Sequence, residues 1–315
     1  MNQRGVISLG EALIDFIPTD KTNTIYHKSP GGAPANVSVG IAKLGGKSTF
    51  LGKVGDDILG RFLEETLKAY DVEVSCMQFM KTERTGIVFV TNADDGERSF
   101  DFYINPRADQ FLEIQEINEA LFVEHKILHF GSISLISNPA KETTHYAVEL
   151  AKKNSMIVSY DPNLRLALWD SEKHAKDTII SMMEKTDVLK ISEEELEFIT
   201  GETDVEKGVK KLDLYLISLI IVTLGAKGCY VYTKEGSKHV AAMKVNAVDT
   251  TGAGDAFVSG ILYSLSNYKG NLNSLSLEDA AKMAEFAAVS GALAASKKGA
   301  MTALPALAEV KNCLK

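Results

Sequence analysis

Residues 126–161 read KILHFGSISLISNPAKETTHYAVELAKKNSMIVSYD. The opening KILHFGSI (126–133) is a short apolar run, PAKETTHYAVELAKKN (139–154) spaces its apolar residues at helical intervals, and MIVSYD (156–161) is apolar again. Strand, helix and strand in that order form one βαβ unit. The pattern repeats on either side. Upstream lie VISLG (6–10), ANVSVGIAKLG (35–45), STFLGKVG (48–55) and DILGRFLEETLKAY (57–70); downstream lie DVLKIS (187–192) and LISLIIVTLG (216–225). Alternating units predict an open, doubly wound α/β fold whose mostly parallel sheet is flanked by helices.

Two stretches break the alternation. LIDFIPTDKTNTIYHKS (13–29) is extended in character, and TGIVFVTNADDGERSFDFYINP (85–106) holds two β-rich runs joined by the turn-prone Asn92–Gly96. Neither fits a βαβ crossover. They predict a small inserted sheet of residues 11–31 and 84–105 on a core of 1–10, 32–83 and 106–315. Ligands in such sheets bind beyond the carboxyl ends of the strands, so the insertion is placed to act as a lid; an edge used for contact between subunits is the other reading.

Composition narrows the function. The chain has 315 residues, a net charge of -8 and 45% hydrophobic residues, enough for a large core. It lacks the basic stripe that nucleic acid requires, and no segment approaches a membrane span. The first residues lack the long uncharged core of a signal peptide. Three separated cysteines suggest neither a disulfide framework nor a zinc site, and six scattered histidines form no triad. A cytoplasmic location is expected.

LGGKST (44–49) superficially suggests a phosphate loop. A Walker A motif needs Gly where Ile41 stands, and here a helix precedes and a strand follows, so this is a helix-ending turn. DTTGAGDAF (249–257) has the proper context. AMKVNAV before it is extended in character and DAFVSGILYSLSN after it is helical, so Gly252 and Gly254 lie where free amides and the helix dipole favour an anion. Asp255, at the same helix mouth, should stay ionised and accept a proton from an attacking hydroxyl while the amides hold a phosphoryl group. Helix capping without catalysis is the alternative for the same residues.

DTTGAGD resembles the C-terminal signature of the PfkB, or ribokinase-like, sugar kinases, and PGGAPANVSVGIAKLGG (30–46) resembles their N-terminal signature. Further similarity runs through GEALIDF (10–16), GKVGDDILGRFL (52–63), SYDPNLRLALW (159–169), KISEEELEFITG (190–201) and VTLGAKG (222–228), nearly the whole chain, and is closest to the fructokinase branch. The resemblance implies a ribokinase-like fold and ATP-dependent phosphorylation of the fructose 6-hydroxyl.

It also implies roles. Asp255 becomes the base and the amides of Gly252, Ala253 and Gly254 the anion hole. Asp15, Gly32 and Asn36 match positions that hydrogen-bond sugar hydroxyls, although alone Asp15 reads equally as a solvated acid and Asn36 as a helix cap. Glu195 takes the place of an acid that organises magnesium and phosphates through water, with Ser192 where many members have Asn; an acidic first helical turn is compatible with this. Lys190, Thr223, Gly225 and Gly228 match the nucleotide region. Asp249, Thr251, Ala294 and Gly299 match a potassium site found in many relatives. Arg165 and Arg107 are the cations best placed to meet a phosphate or an acidic substrate. Fructokinases commonly carry an arginine shortly before the Asn-Pro at 105–106; here that position is Ile104 and Arg107 comes after.

A 2-keto-3-deoxygluconate kinase is the alternative substrate reading, kept open by Tyr103, Arg107 and Arg165. A silent sugar or nucleotide sensor on the same scaffold is the alternative from another class; it would be expected to lose Asp255, Gly252 or Gly254, all present. By analogy, the chain pairs into a homodimer through the lid.

Overall fold

A computed structural model of the chain describes residues 5–20, 22–92 and 98–314. The strands are β1 (Val6–Leu9), β2 (Leu13–Pro18), β3 (Tyr26–Gly31), β4 (Ser48–Gly55), β5 (Met77–Met80), β6 (Gly86–Asn92), β7 (Arg98–Phe102), β8 (Ile127–Phe130), β9 (Ile157–Tyr160), β10 (Val188–Ser192), β11 (Leu219–Thr223), β12 (Cys229–Thr233) and β13 (Gly236–Val240). The helices are α1 (Ala33–Lys43), α2 (Ile58–Ala69), α3 (Ala120–Glu124), α4 (Ala140–Lys153), α5 (Glu172–Ser181), α6 (Glu193–Thr200), α7 (Val205–Leu212), α8 (Ala253–Asn267), α9 (Leu277–Ala295) and α10 (Leu307–Cys313).

A nine-stranded sheet runs in the order β13-β12-β11-β10-β9-β8-β1-β4-β5. Strands β5 to β11 of this sheet pair in parallel, and the β12–β13 hairpin closes one edge antiparallel. That hairpin is not visible in the sequence, because its outer strand is largely exposed and lacks an apolar run. Central strands are buried on both faces, as helix-covered parallel sheets require. Along β1, Val6 packs with Val37, Phe257 and Ile261 beneath α1 and α8, whereas Ile7 and Leu9 face Leu135, Ala147 and Val148 on the α4 side.

The second sheet has the order β3-β2-β6-β7, with β2 and β6 parallel. Its strands fall within the two expected insertions. Residues 93–97, which hold most of the expected turn, lie outside the described residues. At LGGKST, α1 ends at Leu44, Gly45 is left-handed (φ 81°), the Gly46 amide donates to the Ile41 carbonyl at 2.9 Å, and β4 follows. This is a helix-terminating turn.

Candidate active site

The site lies between the small sheet and the carboxyl ends of the core strands. A cleft of about 650 Å³ is lined there by Asp15, Gly32, Asn36, Asp161, Arg165, Lys190, Asp249, Thr251, Gly252, Gly254 and Asp255, among others. These residues come from five separate sequence segments, brought together as the doubly wound topology dictates.

Local structure explains each placement. AMKVNAV forms no strand and runs as a loop along the cleft. Gly252 caps α8 with φ 77°, a left-handed conformation costly for any side chain, and a Cβ there would meet Ala300 Cα at 3.1 Å. Ala253 departs from the expected anion hole: its amide donates to the Thr250 carbonyl at 3.1 Å and closes the turn, leaving Gly252 and Gly254 on the cleft wall. Gly32 opens α1 with φ 98°, where a Cβ would lie 2.5 Å from the Glu11 carbonyl oxygen. Asp15 leans over the same loop, so close that a Cβ on Gly31 would meet its Oδ2 at 2.2 Å.

Asp255 occupies the first turn of α8 and its Oδ2 accepts from Asn36 Nδ2 at 2.8 Å. Burial pushes its carboxyl up to about 6; the Asn36 hydrogen bond opposes this, Asp161 adds to it, and Lys190 and Arg165 hold it down. The helix dipole alone would have kept the group in the ordinary carboxylate range, so burial wins. Asp255 is still mainly ionised at pH 7 yet basic enough to take a proton. Asp15 is pushed up to about 7 by burial and then by Asp255, against the attraction of Arg165. The two acids titrate as a coupled pair.

Some expected residues lie elsewhere. Arg107 does not line the cleft: it is 1% exposed and makes two bonds to Asp109, at 3.0 and 3.1 Å, beneath the lid's root. Tyr103 also points away. Phe102 faces the cleft, so its neighbour turns to the other side of the lid, where Tyr103 packs edge-on against Phe89 at 5.6 Å. Thr223, at the end of β11, is paired in register with Ser192, and Gly225 and Gly228 flank the turn that follows, one strand beyond the cleft wall. Glu195 closes a capping box with Ser192, its Oε2 accepting the Ser192 amide at 2.9 Å, while Oε1 accepts the Leu164 amide at 2.7 Å. It thereby ties α6 to the loop carrying Asp161 and Arg165.

The residues matched to a potassium site do converge. Asp249 accepts the amides of Thr251 at 3.0 Å and Gly299 at 3.1 Å, and its own amide donates to the Ala295 carbonyl, next to Ala294. Among the described residues, no group of three His, Cys, Asp or Glu could hold a metal unaided. The carboxylates of Asp15, Asp161, Asp249 and Asp255 on the cleft wall are hard oxygen donors, the ligand type that magnesium takes. Residues overlooked in the sequence include Glu11, Asp161 and Asn163. Their position at strand ends, inside GEALIDF and YDPNLR, was the available signal.

A large, mostly parallel sheet flanked by helices, with a small second sheet over a polar cleft, is the ribokinase-like α/β fold. The model of the pfkB family carbohydrate kinases matches residues 3–307, and the chain belongs to that family. It is 46% identical to probable fructokinase-6, chloroplastic, of Arabidopsis thaliana, covering 98% of this chain and 82% of the relative. A fructokinase from Vibrio cholerae O395, solved with fructose, ADP and calcium, superposes with a TM-score of 0.91 at 40% identity over 100% of both chains. An aminoimidazole riboside kinase from Salmonella enterica, solved with aminoimidazole riboside and an ATP analogue, superposes with a TM-score of 0.88 at 32% identity over 99% of each chain.

Proposed function

We propose that the chain is a fructokinase, transferring the γ-phosphoryl group of ATP to the 6-hydroxyl of fructose. The observation that carries this is the placement of Asp255, bound to Asn36, between sugar-facing Asp15 and Gly32 and the α8 turn. The 40% identical neighbour crystallised with fructose and ADP supports the choice of sugar. Of the three groups that favoured an acidic substrate, only Arg165 lines the cleft.

In this reading fructose lies under the lid, its hydroxyls held by Asp15, Asn36 and the Gly32 backbone. Asp255 takes the proton of the 6-hydroxyl as that oxygen attacks in line. The Gly252–Gly254 turn and Lys190 stabilise the charge on the transferring group. Magnesium bound to the phosphates would supply further charge neutralisation, with Glu195 fixing the adjacent loop. The lid excludes water, which would otherwise accept the phosphoryl group. Asp249, Thr251, Ala294 and Gly299 are the proposed surroundings of a potassium ion; a potassium-bound form of the Vibrio cholerae enzyme, as a double mutant, superposes with a TM-score of 0.90.

Two finer points belong to the proposal. The outer lid face carries Phe16, Tyr26 and exposed Tyr103, each in ring contact with Phe89, an apolar surface suited to a homodimer. No helix among the described residues is long and apolar enough to cross a membrane, and the proposed location is cytoplasmic. ATP consumption by purified protein against fructose, 2-keto-3-deoxygluconate, ribose and adenosine, with and without potassium, tests the reading. Turnover with fructose is expected; turnover of the keto-acid alone would replace fructose as substrate.

A further inference from the structure

Two charged side chains on the cleft floor are bound to each other. Asp161 follows β9 and Lys190 lies on β10, and these strands are parallel neighbours. Lys190 Nζ lies 3.0 Å from Asp161 Oδ2, and the side chains are only 14% and 6% exposed. The other carboxylate oxygen accepts the Asn163 amide at 3.2 Å, so Asp161 is anchored at both oxygens. The ammonium sits beside the opening of α8, where a Cβ on Gly254 would lie 3.8 Å from Nζ.

A lysine carries its charge on a flexible stem of four carbons, and a buried, unpaired ammonium tends to shed its proton. An anchored carboxylate beside it prevents both the wandering and the deprotonation. Consistent with this, Asp161 leads the charges that oppose burial and keep Lys190 protonated, with Glu195 and Asp255 adding smaller effects. Building on the kinase reading, we propose that Asp161 is a positioning residue for phosphoryl transfer, holding the Lys190 ammonium against the α8 turn before the nucleotide arrives. Phosphate oxygens then meet a cation already in place, and little of the rearrangement that would follow random binding is needed.

Asp161 acts on the base as well. The groups facing Asp255 are Asp15 from β2, Asn36 from α1, Asp161 and Arg165 from the segment after β9, and Lys190 from β10. Removing the Asp161 charge removes a repulsion from Asp255. In the Lys190→Met background, where no ammonium is left to be displaced, the acid limb of turnover should therefore move to lower pH, a change that a merely structural residue would not cause.

The test compares wild type, Asp161→Asn, Lys190→Met and the double variant, measuring kcat and KM for ATP at saturating fructose, kcat against pH, fructose affinity and thermal melting. Asp161→Asn is expected to lower kcat at least about tenfold, as misplacement of a charged group can, with fructose affinity kept. In the Lys190→Met background the same substitution should change kcat less than about threefold, because the two residues act as one unit. Wild-type kcat in Asp161→Asn, or losses that multiply in the double variant, overturn the proposal. Should Asp161→Asn fail to fold, the double variant against Lys190→Met decides: equal kcat supports the proposal and a further tenfold loss refutes it. A wild-type chain inactive on every sugar overturns the kinase reading and this inference together, whereas an active wild type beside an unimpaired Asp161→Asn overturns the inference alone.

Discussion

Replacing Asn36 by Ala should move the pH at which the enzyme switches on. Asn36 donates to the ionised form of Asp255 at 2.8 Å, and that bond is the first of the influences holding the carboxyl down against burial. A hydrogen bond to a charged group is worth about 1.5–3 kcal/mol. At 1.36 kcal/mol per pH unit, its loss should carry the titration of Asp255 from about 6 upward by about one to two pH units. The base works only when deprotonated, so activity is lost as pH falls through this value. At pH 7 the ionised share drops from about nine-tenths to between about a half and a tenth, and kcat should fall about two- to tenfold. Near pH 9.5 it should recover. The assay is kcat from pH 5 to 9.5 at saturating ATP, with sugar well above the KM of each variant, because Asn36 also faces the sugar. Asp15 titrates nearby at about 7, so the two limbs are fitted as a coupled pair. An acid limb that stays put or moves down in Asn36→Ala would refute the assignment of Asp255 as the base held by Asn36.

Asp255→Asn should lower turnover by at least about 10²-fold, the usual worth of a positioned base, with an unchanged melting temperature; near-wild-type turnover would remove Asp255 from the mechanism. Gly252→Val places a branched side chain at φ 77° against Ala300 and should cost about 1–3 kcal/mol of stability, visible as a lower midpoint in urea, together with a large loss of kcat; a variant of wild-type midpoint would contradict the left-handed turn. Glu11 is buried, its Oε1 accepts the Ala33 amide at 3.1 Å, and burial pushes it up to about 7 from an ordinary 4.5. Because the folded value is raised, the stability linked to this proton is fully present below about pH 4.5 and lost as pH rises through about 7. Glu11→Gln should therefore gain on wild type by about 2.5 kcal/mol between pH 5 and pH 8, read as the change in unfolding free energy; an equal pH dependence in both proteins would rule out a buried, titrating Glu11.

The parallel core was legible because its strands are buried on both faces and read as unbroken apolar runs, such as LIIVT in β11. The β12–β13 hairpin was not, since GSKHV is exposed along most of its length and depends on the neighbouring strand for its structure. The α8 turn was visible from its glycines and the helical spacing after them. What sequence did not carry was side-chain direction. Tyr103 and Phe102 are neighbours, and only the strand's alternation sends one to the cleft and the other to the lid's outer face. The sequence reads Arg107 as a substrate cation because its partner Asp109, two residues on, carries no sign that the pair is buried. Asp161 went unread as a partner of Lys190 because the two meet only across adjacent strands.

The bond between Asn36 and Asp255 joins residues 219 positions apart, and this bears on the order in which the protein is made. Helix α1 leaves the ribosome early, but its partner α8 emerges only after most of the chain. Until then Val37 and Ile41, which pack against Phe257 and Ile261 in the finished protein, lack that part of their cover. Exposed apolar surface of this kind invites association with other chains during synthesis. The nascent protein should accordingly depend on chaperones until α8 docks, and any chain broken off before residue 253 should be not a weak kinase but an aggregating fragment.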